Sequence, residues 1–230
     1  MRCELKQYER GADFSKTIQE GTLHLAGVDV FLNDGETIYE CSEFTEKGLS
    51  EDYDIKGGTW YVEDGWVVGK NPNCCPGMLV SKKDYCGHVL LEVTVKMVSP
   101  STHDINIMIN GSWDEKKNRR DLAYVTGLEA FWHGNIGFEK SPEYKLTAAT
   151  QLFDFNPNRE YRLQFGNAGG KIFVLADQKL ALEITDPDPI DVSRYGKFGF
   201  ETFSSWWKFK NVKLKKLSYK MVQEKYIPEF

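Results

Sequence analysis

The chain predicts an all-β fold, a jelly-roll-like antiparallel β-sandwich formed as a single domain over residues 1–230, and three observations carry that prediction. At 230 residues it has a length at which all-β sandwiches often form one unit, and it shows no internal repeat, low-complexity tract or linker. Short apolar and aromatic runs recur between turn residues, with hardly any helical period. Aromatic residues make up 13% of the chain, a share that suits strand propensity and sugar-stacking surfaces equally well. A core of this size needs no disulfide or metal staple.

The elements follow in order. Thr22–Leu25 and Val28–Leu32 read as short strands, and the acidic, polar stretch Glu40 to Asp54 as a loop with a helical turn. The most legible stretch is Thr59 to Tyr85. There Trp60-Tyr61-Val62 and Trp66-Val67-Val68 flank Glu63-Asp64-Gly65, and an Asp-Gly step between two such runs marks a hairpin, because Gly accepts the positive φ of a tight turn. Met78-Leu79-Val80, a Lys-Lys-Asp turn and the central strand Val89–Val98 come next; Val93-Thr94-Val95 is β-branched throughout, and Pro100 ends it. His103 to Asn110 alternates, with Ile105, Ile107 and Ile109 on one face and Asp104, Asn106, Met108 and Asn110 on the other. The charged loop Gly111 to Asp121 leads to a strand expected over Leu122–His133. Further strands fall at Tyr161–Phe165, Lys171–Ala176, Lys179–Ile184, Gly196–Phe203 and Trp207–Leu217, with a hairpin turn at Asp177-Gln178. At Asn211 the apolar phase changes from Trp207/Phe209 to Val212/Leu214, which implies a bulge. Pro142 to Ala149 and the tail, residues 218–230, read as helical or irregular.

Charge and cysteine usage narrow the function classes. A net charge of −5 leaves no electrostatic footprint for nucleic acid. Lys208, Lys210, Lys213, Lys215 and Lys216 are interleaved with apolar residues, so a solvated strand face explains them better than a phosphate-binding patch. No apolar run approaches a membrane span and the first residues carry no signal-like core, so a cytoplasmic location is expected. Five irregularly spaced cysteines agree with free thiols, and Cys74, Cys75 and Cys86 lack the paired spacing of a structural zinc site.

Candidate site residues come from strand facing. Reading Gly127 to Gly134 as a strand places Glu129, Phe131 and His133 on one face and Leu128, Ala130 and Trp132 in the core. The α carbons of Glu129 and His133 would lie about 13 Å apart, too far to chelate one metal without bending but able to flank a sugar ring. Glu201 alternates away from Phe200 and is expected to join Glu129. Asp104, Asn106 and Asn110 form a polar face that either bonds sugar hydroxyls or is simply solvated. Trp113 is the aromatic most readily offered to a sugar face, and Arg119 and Arg120 beside it suit a carboxylate or oxyanion.

The strings W-x-V-E-D-G-x-V-x-G at Trp60 to Gly69 and G-x-L-x-S-K-K-x-Y at Gly77 to Tyr85 resemble the bacterial 3-keto-disaccharide hydrolase family, within the concanavalin A-like lectin/glucanase superfamily. Gly127-Leu128-Glu129, Gly196 to Glu201 and Phe209 to Leu217 extend the resemblance over roughly residues 55–217; part of it also looks like a poorly characterised cytoplasmic bacterial branch. Where the family continues G-Y-E-x-Q-x-x-D, this chain has Phe131 at the Gln position and no acid at the last, with His133 adjacent.

The resemblance implies a carbohydrate-active lyase or hydrolase that cleaves a modified, for instance 3-keto, glycoside on the concave sheet face. A 3-keto group acidifies the C2 proton, so a modest base can remove it and expel the C1 substituent. Glu129 or His133 is the expected base. A divalent metal, Arg119 or Lys82 is expected to steady the oxyanion. Expected ligands are mono- or oligosaccharides. A conventional glycoside hydrolase, a non-catalytic carbohydrate-binding protein, a homo-oligomer and an accessory subunit of another enzyme stay open.

Overall fold

The computed structural model describes residues 18–129, 135–142, 146–151 and 155–222. Two large antiparallel sheets face each other. One has seven strands, from edge to edge Thr147–Thr150, Ile136–Ser141, Ala123–Leu128, Ile105–Gly111, Lys197–Thr202, Gly77–Ser81 and Tyr53–Ile55. The other has eight: Lys179–Thr185, Lys171–Ala176, Tyr161–Ala168, Val89–Met97, Ser205–Lys216, Trp66–Asn71 and Thr59–Glu63, with Thr37–Cys41 paired to the second half of Ser205–Lys216. Between them Ile105, Ile107 and Ile109 meet Val93, Val95, Phe165 and Val174. A run of rings extends that core: Phe200 stacks on Phe209 at 3.8 Å, and Trp60, Trp207 and Phe198 pack edge-on around them. The result is the β-sandwich that the alternation predicts.

The predicted turns fit the register. Glu63 pairs with Trp66 across Asp64 (φ 49°) and Gly65 (φ 78°), and Ala176 pairs with Lys179 across Asp177 (φ 48°) and Gln178 (φ 66°). Two left-handed residues give the twist a two-residue hairpin needs. Gly65→Ala should therefore lower stability by about 1 kcal/mol, read as a shifted urea midpoint; an unchanged midpoint would remove this turn from the account. The bulge at Asn211 is also present: its φ is 52°, and the pairing of Ser205–Lys216 with Val89–Met97 shifts between Lys210 and Lys213.

Three expectations are corrected. Thr147–Thr150 is a strand, paired with Ile136–Ser141. Ser218–Met221 is likewise a strand, the last of a small third sheet with Ile18–Gln19, Thr22–Leu25 and Val28–Phe31. That sheet packs Leu23, Leu25, Val28 and Val30 on the outer face of the eight-stranded sheet, against Leu90, Ala168, Phe173 and Leu175. The strand expected over Leu122–His133 ends at Leu128, because Glu129 turns into the left-handed region at φ 52°.

Candidate functional site

The outer face of the seven-stranded sheet carries the strongest concentration of buried charge. Opposite the core isoleucines, Met78, Val80, Met108, Ala123 and Val125 point outward and form a shallow apolar cluster beneath Trp113. Glu139, the Cα partner of Val125, and Glu201, the partner of Asn106 and Met78, rise from this face on either side of that floor. Gly127 lies between them. A Cβ there would stand 2.2 Å from the Ile105 carbonyl oxygen and from Asn106 Oδ1, so no other residue fits without a backbone shift.

The charged loop supplies the roof. Trp113-Asp114 pairs with Arg119-Arg120 in a two-stranded arm, its tip closed by Asp114 Oδ1 accepting from the Lys116 and Lys117 amides at 3.0 and 3.1 Å. Lys56 ties the tip down through Glu115, 2.7 Å away. Arg120 then reaches back to the sheet. Its Nη2 donates to Glu139 Oε1 at 2.6 Å, its Nη1 pairs with Glu201, and its Nε donates to Ser141 Oγ at 2.9 Å. One guanidinium thus holds two buried carboxylates, with side chains only 3% and 6% exposed. Next to the cluster opens a cavity of about 530 Å³, lined by Lys56, Asn71, Asn73, Trp113, Arg119, Arg120 and Glu201 among others.

Burial dominates the electrostatics. It pushes the Glu139 carboxyl up to about 7; Arg120 opposes the rise and Glu201 adds to it. Asp104 is also raised to about 7, by burial first and then by Glu201, against hydrogen bonds from Asn106 and the Phe203 amide. Both groups can therefore exchange a proton near neutral pH. Glu139 Oε2 and Trp113 Nε1 are buried without a hydrogen bond to any described residue.

Of the residues singled out in the sequence, Glu201, Trp113, Arg119 and Arg120 come together at this cavity. Asp104 and Asn106 lie behind it and serve the protein. Asp104 accepts from Asn106 Nδ2 (3.0 Å) and the Phe203 amide (2.8 Å), and neither residue lines the cavity. Asn110 does not line the cavity. A left-handed φ of 47° at the register shift turns it inward, where Nδ2 donates to the Gly87 carbonyl and Oδ1 accepts from Asn167 of the facing sheet. Lys82 follows the far end of Gly77–Ser81 and donates to the Ser50 carbonyl, away from the Met78–Glu201 end. Glu129 sits in a bend, its backbone bonded to Asn135 and Asp104, and is not part of the cavity lining. His133 lies outside the described residues.

Glu139 was not among the expected site residues. Its signal was the alternation Ile136, Phe138 against Gly137, Glu139, Ser141, which puts the acid on the outer face. Among the described residues, no group of three or more His, Cys, Asp or Glu side chains is arranged to hold a metal ion. Cys41, Cys74, Cys75 and Cys86 are free thiols.

No family model matches the chain, and no curated protein does. Solved structures do. A Bacillus subtilis protein of unknown function with a galectin-like fold matches with a TM-score of 0.64 at 12% identity, over 83% of this chain and 99% of that one. The carbohydrate binding module CBM66 from Bacillus subtilis matches at 0.57 and 15% identity, over 72% and 96%. The metal-free carbohydrate recognition domain of Emp46p matches at 0.59 and 12%, over 79% and 98%. The fold is accordingly a galectin- and lectin-like β-sandwich.

Proposed function

We propose that this protein is carbohydrate-active and binds a mono- or oligosaccharide in the cavity beneath the Trp113–Arg120 arm. The observation that carries the reading is the composition of that cavity: an indole wall beside Glu201, Arg119, Arg120 and Lys56. A flat ring covers the apolar face of a sugar, and charged groups in fixed positions bond its hydroxyls. The sandwich neighbours, two of them described as carbohydrate-binding, support the same class of ligand.

Glycoside cleavage is the catalytic form of this reading, with Glu201 at the cavity wall as the acid that meets the sugar and Glu139, raised to about 7, behind it on the shared Arg120. A carboxyl poised there can give or take a proton at neutral pH. On a 3-keto glycoside the proton taken is that at C2, and Arg119 at the cavity wall would face the enolate oxygen.

Calorimetry against a panel of mono- and oligosaccharides tests the binding, and aglycone release from 3-keto glucosides tests the chemistry. Trp113→Ala and Glu201→Gln should each weaken binding by about tenfold or more, with the fold verified by circular dichroism. Absence of saturable binding across the panel, or binding untouched by both substitutions, overturns the proposal. Binding without product leaves a binding protein.

A further inference from the structure

The outer face of the eight-stranded sheet is divided in two. The small third sheet covers the part carrying Leu90, Ala168, Phe173 and Leu175. The uncovered part carries Lys70, Lys96, Lys208 and Lys210, gathered from three adjacent strands. Lys208 is the Cα partner of Lys96, and Lys70 that of Trp206. Like charges placed directly opposite destabilise a strand pair.

No acidic side chain among the described residues pairs with them. Lys213 and Lys216 are paired with Glu40 and Glu36, and Lys215 is buried on the Leu32 carbonyl. Lys70, Lys96, Lys208 and Lys210 make no ion pair with any described residue. Three of the four rest on rings instead. Lys70 Nζ lies 4.2 Å from the centre of the Trp206 ring, and Lys208 and Lys210 lie 4.8 and 4.4 Å from that of Trp66. Of the acids bordering them, Glu92 is held by Arg162, and Glu63 stands at the edge opposite Trp66. In a chain of net charge −5 this is a local inversion of sign. Beside it a cavity of about 410 Å³ is lined by Lys70, Trp206, His103 and Pro100 among others, and Trp206 Nε1 is buried without a hydrogen bond to any described residue.

We propose that this face binds an anionic polysaccharide, one bearing carboxylate or sulfate groups, at a site separate from the cavity under the arm. A sheet sets its cations on a lattice of about 5 Å across strands and about 7 Å along them, a spacing suited to one anionic group per sugar unit. The ammonium groups cap the indole faces. That leaves charge on offer and covers ring surface on which a nucleic-acid base would otherwise stack. The choice of a glycan as carrier of the anionic groups rests on the carbohydrate reading above.

The test is affinity electrophoresis and calorimetry with polygalacturonate, dextran sulfate and neutral dextran, with polyglutamate and poly-dT alongside, between about 50 mM and about 200 mM salt. Polygalacturonate or dextran sulfate should bind in a salt-sensitive manner, and the stronger of the two identifies the anionic group. Replacing Lys70, Lys96, Lys208 and Lys210 together by Gln should weaken that binding by about tenfold or more. Trp113→Ala with Glu201→Gln should leave it unchanged, which separates failure of this site from failure of the cavity. The proposal is overturned if neither anionic polysaccharide binds, if the four-lysine variant binds like wild type, or if polyglutamate or poly-dT binds as tightly.

Discussion

Arg120→Ala should be the most damaging single substitution at the site, lowering stability at pH 7.5 by about 3–5 kcal/mol. In wild type one guanidinium holds Glu139 and Glu201, both almost fully buried. Removing it leaves two carboxylates in a poorly solvated setting with Asp104 nearby, and an uncompensated buried charge costs far more than an exposed one. For a chain of this length that is on the order of 10 °C in Tm. The deficit should shrink on acidification, because the orphaned carboxylates take up protons and their charge disappears. It should also shrink when the charges are removed together, in Arg120→Met with Glu139→Gln and Glu201→Gln, since a buried ion cluster contributes little net stability over a neutral replacement. Thermal and urea unfolding at pH 5 and 7.5 decide it. A loss that is equally large at both pH values, and not relieved in the triple variant, would mean that Arg120 acts through packing rather than charge.

That cluster also shows what could be read from the chain beforehand. Strands with strong local signals were legible, the Asp64-Gly65 hairpin and the isoleucine alternation of Ile105 to Ile109 among them, because alternation and turn chemistry are local properties. Ser218–Met221 was not, since its partner Val28–Phe31 lies at the other end of the chain and its own alternation rests on Tyr219 and Met221 alone. Ile136–Ser141 was diluted by Gly137 and Lys140, so Glu139 went unseen. Glu129 and His133 looked stronger because extending the strand past Leu128 put them on one face. The left-handed turn at Glu129 breaks that phase. Arg120 was legible as a carboxylate binder, but which carboxylates it takes depends on strands brought together by tertiary pairing: Glu139 and Glu201 are 62 residues apart in the chain.

Between pH 5 and pH 8 the protein should lose stability as pH rises, by about 5 kcal/mol if the two groups titrate independently, and Glu139 and Asp104 should account for the slope. Both are raised to about 7 in the folded protein, from ordinary values of 4.5 and 3.8. In that window the folded state binds more protons than the unfolded chain. Unfolding therefore releases protons, and raising the pH favours it. The effect is complete once pH exceeds the folded values. Asp114 and Asp191 are shifted the other way, below the ordinary carboxylate value, by hydrogen bonds from Lys117 and Ser193 respectively. Their contribution is present above that value and lost only as pH falls below it, outside the window. Glu139→Gln imitates the protonated carboxyl while leaving Arg120 its pair with Glu201. At pH 8 it should be at least as stable as wild type, with a flatter pH profile. Asp104→Asn should behave alike, since Asn tolerates the left-handed φ of 71° there. Wild-type slopes retained in both variants would locate the titrating groups elsewhere. A flattened slope in both would establish that the buried acids beside the cavity change protonation near neutral pH, the property that glycoside cleavage at this site requires.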